Sequence, residues 1–66
     1  MDAATLRKAL RELDGHRDLR IEFDAKTCRV SKALLIPEEP DGLVKVTDGA
    51  RVFVLDATGI RWIEIG

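Results

Sequence analysis

The 66-residue sequence predicts an α+β fold, an N-terminal amphipathic helix followed by an antiparallel β-meander of four to five strands. Three observations predict it. Apolar residues recur at helical spacing up to Leu13, the pattern changes to strict alternation from Leu19, and two Asp/Gly turn signals divide the second half. A chain of this length makes a single domain and buries only about 60% of the surface that its unfolded form exposes. Its stability margin is therefore expected to be thin, and with no metal motif and no internal disulfide to staple it, either close packing or self-association must hold it together.

The helix is predicted over Ala3 to Leu13. Leu6, Ala9, Leu10 and Leu13 share one face, while Arg7, Lys8, Arg11 and Glu12 lie on the other. Asp2 stands where an N-cap is needed, and Gly15 follows as the residue that tolerates a left-handed stop. Between Leu19 and Asp24 the apolar residues Leu19, Ile21 and Phe23 alternate with Arg20, Glu22 and Asp24, the pattern of a half-buried strand. Ala25 to Thr27 turn the chain. Cys28 to Ile36 form a second extended stretch whose alternation slips at Ser31-Lys32, where a β-bulge would restore inward-facing Leu34 and Ile36; a short helical turn over Lys32 to Leu35 is the alternative.

Pro37-Glu38-Glu39-Pro40-Asp41-Gly42 reads as a loop, since two prolines remove backbone donors and Asp-Gly favours a turn. Leu43 to Thr47 and Ala50 to Asp56 flank Asp48-Gly49 as a hairpin, and Asp56-Ala57-Thr58-Gly59 turns into a last strand, Ile60 to Ile65. A two-residue turn at Asp48-Gly49 pairs Val46 with Arg51, Val44 with Phe53 and Leu43 with Val54. A similar turn before Ile60 pairs Phe53 with Trp62, Val52 with Ile63 and Arg51 with Glu64. One face of the resulting meander carries Val44, Val46, Phe53, Leu55, Ile60 and Trp62 as core. The other carries Leu43, Val52, Val54, Ile63 and Ile65, relieved only by Lys45, Thr47 and Arg61, which is too apolar for a solvated sheet.

Two covers suit that second face: the earlier strands curling round it, or a second copy of the chain. One helix followed by five short strands is similar in element order to Sm-like and some SH3-like small barrels, and that resemblance implies a sheet closing on itself. It implies no function, because the glycine-asparagine signature through which Sm-like proteins bind RNA is absent and no functional residue carries over.

Composition narrows the chemistry. An apolar fraction of 45% beside a charged fraction of 35% belongs to a folding chain, and a formal net charge of −1 gives no general attraction to nucleic acid. Met1 to Ala33 hold eight Lys/Arg against six Asp/Glu, and Leu34 to Gly66 three against six, so the first half is mildly basic and the second mildly acidic. No apolar run approaches a signal peptide or membrane span, and the lone Cys28 fits a reducing compartment, so the cytoplasm is the expected location.

Neither the lone histidine, His16, nor Cys28 has partners for catalysis. His16 reads as a solvated turn residue and Cys28 as a small packing residue, so no enzyme and no cofactor is expected. Glu38, Glu39 and Asp41 match no calcium loop and read as a solvated acidic turn. The expected function is that of a non-catalytic interaction module, self-associating or docking a protein partner through Leu43, Val52, Val54, Ile63 and Ile65. The alternative is a small nucleic-acid-binding barrel that uses Arg7, Lys8 and Arg11 on the polar side of the helix, with Arg17 and Arg20 nearby, against the interleaved Glu12, Asp14 and Asp18.

Overall fold

A computed structural model describes Met1–Gly66, and its elements begin where the capping residues place them. Asp2 is extended and its carboxylate accepts from the Thr5 amide at 2.7 Å, starting helix α1, Ala3–Leu10. The helix stops a turn earlier than its apolar spacing suggested. The Leu13 amide donates to the Leu10 carbonyl at 3.0 Å, which tightens the chain while keeping Leu13 buried, and Gly15 then takes a φ of 86°. Leu6 and Leu10 are completely buried against strand β4, Val44–Thr47, and a 3₁₀ turn, Ala57–Gly59.

Six antiparallel strands make two three-stranded sheets. Strands β1, Leu19–Glu22, and β2, Thr27–Val30, pair with Leu19 opposite Val30 and Ile21 opposite Cys28. Strand β3, Leu34–Leu35, is separated from β2 by a turn at Ser31-Lys32, so the expected single stretch from Cys28 to Ile36 is two strands in different sheets. Lys32 adopts a φ of 47°, and this corner is held by hydrogen bonds from its amide to Asp18 Oδ1 (3.0 Å) and from the Ala33 amide to the Arg17 carbonyl (2.8 Å). Unbroken alternation from Val30 would have turned Lys32 inward. The corner exposes it, buries Ala33, and leaves Leu34 outside and Ile36 only half-buried, reversing the inward placement expected of that pair.

The hairpin of β4 and β5, Val52–Leu55, forms, with a register two residues from the expected one. Val44 faces Leu55, Val46 faces Phe53 and Thr47 faces Val52. The turn centres on Gly49-Ala50, because the Asp48 carboxylate accepts from the Ala50 and Arg51 amides (2.9 and 2.7 Å) and keeps Asp48 inside the hairpin. Only Gly49 in this turn has positive φ, at 96°. A shift of two preserves side-chain direction, so Val44, Val46 and Leu55 still face the core as the sequence predicted.

The last strand is the larger departure. Strand β6, Trp62–Ile65, pairs with β1 and not with β5, so neither the Phe53–Trp62 nor the Arg51–Glu64 pair forms within the chain. Asp56 caps the 3₁₀ turn, and burial of Ala57 and Ile60 swings the chain across to the first sheet. Ile63 and Ile65 consequently face the core side with Leu19 and Ile21, while Trp62, expected in the core, lies 42% exposed on the outer surface. The sheets are thus β2-β1-β6 and β3-β4-β5 around one apolar core, and no ladder joins β5 to β6, so the closed barrel, one of the two covers the sequence allowed, is absent, and the strands number six rather than four to five. No helix is long and apolar enough to cross a membrane.

Candidate functional site: an exposed apolar sheet face

The outer surface of the β3-β4-β5 sheet follows directly from its registers. Leu34 opposes Thr47, which opposes Val52, and these three form one row. The Ile36 amide donates to the Lys45 carbonyl at 3.0 Å, extending the register so that Ile36, Lys45 and Val54 form the next. Leu43 continues the alternation beyond Lys45. Exposure is 46% at Leu34, 47% at Leu43, 58% at Val52 and 56% at Val54, unusually high for aliphatic side chains sharing one sheet face.

The charge at the centre of this face is held at its rim. Lys45 Nζ donates to Glu39 Oε1 at 2.7 Å and to Asp41 Oδ2 at 2.6 Å, with its side chain only 17% exposed, so the stem lies along the sheet. These contacts raise the Lys45 pKa, chiefly through Asp41 and then Glu39. The same contact with Lys45, followed by the Leu43 amide, holds the Asp41 carboxyl below its ordinary range. Glu38 is engaged too, 3.7 Å from Arg7 Nη1. The acidic loop therefore neutralises two basic side chains of the fold. A shallow groove of about 370 Å³, lined by Leu43, Val54, Leu55 and Ala57 among others, continues the apolar surface toward the start of α1.

The sequence-predicted residues divide between two places. Leu43, Val52 and Val54 lie together on this outer face, whereas Ile63 and Ile65 lie on the inward side of the other sheet, half-buried at its β6 edge. Leu34 belongs to the patch and was missed, because its place depends on the Lys32 corner. The basic trio on α1 is also divided. Lys8 and Arg11 are exposed, but Arg7 has a side chain only 12% exposed and donates from Nη2 to the Leu43 carbonyl (3.1 Å) and the Gly42 carbonyl (3.4 Å).

A second, polar surface lies outside the β2-β1-β6 sheet, where Arg29, Arg20 and Glu64 form one cross-strand row beside a groove of about 260 Å³. The Arg20 guanidinium sits 4.9 Å from the centroid of the Trp62 ring, and its Nε lies 3.4 Å from Glu64 Oε1 without the alignment of a hydrogen bond. Asp18 and Glu64 border the same groove as the two arginines, so charges of both signs meet there.

Comparison of the chain with family models, with curated proteins and with solved structures finds no match.

Proposed function

We propose that the domain is a non-catalytic interaction module that associates with further copies of itself through the outer face of the β3-β4-β5 sheet, in the cytoplasm. The observation that carries this reading is the group of four exposed aliphatic side chains, Leu34, Leu43, Val52 and Val54, on a face whose one lysine has its charge neutralised at the margin. A sheet face that works in water alternates toward polar residues, and this one does not. Covering it removes apolar area worth about 25 cal/mol per Å² before the costs of association are subtracted.

Sedimentation equilibrium over a wide concentration range tests the reading. The expected result is a mass that rises with concentration, and loss of that rise in Val52→Asp with the circular dichroism of the fold retained. A wild-type monomer at every concentration overturns it, as does Val52→Asp leaving assembly unchanged. The alternative phosphate-binding surface on α1 has Arg7 committed to loop carbonyls and Glu38, which leaves Lys8 and Arg11 as its free cations. Nucleic-acid binding by this chain that weakens steeply with salt, without self-association, would replace the proposal.

A further inference from the structure

Each sheet ends in a strand with an unpaired side, and the two unpaired sides complement one another. Strand β5 has β4 as its only neighbour, and β6 has β1. The Asp48 amide donates to the Arg51 carbonyl at 3.4 Å, which sets residues 46 and 53 as a hydrogen-bonded pair farther up the ladder. Alternation then directs the backbone amides and carbonyls of Val52 and Val54 away from β4. Asp18 and Gly66 exchange two bonds at 3.0 Å, so by the same rule Ile63 and Ile65 direct their backbone groups away from β1.

We infer that copies assemble head to tail, with the β5 edge of one pairing antiparallel with the β6 edge of the next. This rests on the self-association proposed above and specifies its geometry. Pairing Val52 with Ile63 of the next copy joins two outward-directed backbones, as a hydrogen-bonded antiparallel pair requires. The same register sets Phe53 against Trp62 and Arg51 against Glu64, an aromatic pair and an opposite-charge pair. These are partners that the sequence supplies in adjacent strands and that the 3₁₀ turn prevents from meeting within one chain.

The faces agree as well. Paired residues of an antiparallel ladder project to one side, so Val52, on the outer face of the first copy, comes to lie beside Ile63, on the core side of the second, while Val54 falls opposite Arg61, whose own amide is held by the Glu22 carbonyl at 2.8 Å. The body of the second copy then lies on the same side of the continuous sheet as the exposed aliphatic face. Trp62 of the second copy turns to the side where the half-buried Phe53 of the first faces its own core. One seam thereby covers Val52 and Trp62 and completes the half-covered Phe53 and Ile63. Each copy presents one edge of each kind, so the contact is heterologous and propagates as a ring or a filament.

Cysteine cross-linking tests the seam. In a Cys28→Ala background, the double variant Arg51→Cys/Glu64→Cys is oxidised and run on a non-reducing gel beside each single variant. The expected result is a ladder of dimer, trimer and higher species from the double variant alone. Val54→Pro, which removes an outward amide and leaves the β4 ladder its donors, should abolish that ladder while preserving the circular dichroism. Dimers from either single variant at the yield of the double, an intrachain disulfide without a ladder, or a ladder that survives Val54→Pro in a folded chain each overturns the seam. If the wild-type chain sediments as an oligomer while the double variant gives no ladder, the seam alone fails. If the wild-type chain is a monomer, self-association fails with it.

Discussion

At the residue scale, several turns of this fold depend on an ionised aspartate. Asp48 accepts from two backbone amides of its hairpin loop and Asp56 from the amide and hydroxyl of Thr58, while Asp41 binds Lys45 and the Leu43 amide. Each carboxyl is held below its ordinary value of 3.8; the leading cause is the Arg51 amide for Asp48, the Thr58 side chain for Asp56 and the Lys45 side chain for Asp41. Where folding lowers a carboxyl pKa, the unfolded chain binds more protons between the two values, so stability rises with pH there. The contribution is present above 3.8 and is lost as the pH falls through the lowered values. Urea midpoints measured down a pH series should therefore decline below about pH 4. Asp48→Asn, which keeps an acceptor oxygen but does not titrate, should flatten part of that decline; an unchanged slope would show that the carboxylate adds nothing beyond a neutral acceptor. Lys45 works in the opposite sense. Its raised pKa gives stability that is present below 10.5 and is lost as the pH rises through the higher folded value.

At the element scale, the hairpin turn has a requirement that a single methyl group tests. Gly49 has a φ of 96° with open space around its Cα, so Gly49→Ala meets no clash and isolates the backbone cost. That cost is about 1–2 kcal/mol, readable as a lowered urea midpoint with an unchanged slope. A neutral result would mean that the loop re-forms with another register. The same turn shows how much of the fold was legible. Asp48-Gly49 located the hairpin, but the Asp48 carboxylate accepts from the Ala50 and Arg51 amides, which moved the turn by one residue and the register by two. Face assignments survived because strand periodicity is two. At Asp56-Ala57-Thr58-Gly59 the same residue types gave no such protection. An aspartate that caps a 3₁₀ turn and one that opens a hairpin look alike locally, and burial of Ala57 and Ile60 decided between them. A signal for the β1–β6 pairing was present in the matching alternation of Leu19 and Ile21 with Ile63 and Ile65, and in the opposite charges of Arg20 and Glu64. It was hidden by a sequence separation that local turn chemistry does not address. Leu43, Val52 and Val54 were found as one surface because their alternation is local. Leu34 was not, since its exposure depends on Lys32 taking a left-handed conformation.

At the scale of the whole molecule, a radius of gyration of 10.7 Å matches the ~11 Å of a close-packed chain of this length, yet twelve buried residues make a small core. Domains of this size hold on the order of 3–10 kcal/mol of stability. Leu10→Ala, which empties a completely buried position between α1 and the sheets, should remove ~2–5 kcal/mol, a large share of that total. The proposed self-association would change how such a loss is read. If copies bind only through folded edges and faces, mass action stabilises the native state as concentration rises, and the thermal midpoint becomes concentration-dependent. Calorimetry over a hundred-fold concentration range should give the wild-type chain a rising midpoint. Val52→Asp should give a flat one at the dilute wild-type value, since an exposed position tolerates the charge in the monomer but not in contact with a second copy. Leu10→Ala should unfold when dilute and recover part of its midpoint when concentrated, because its defect lies in the core and leaves the proposed association surface intact. A flat wild-type midpoint would place all the stability in the twelve-residue core. It would also leave the aliphatic face of β3, β4 and β5 without energetic consequence.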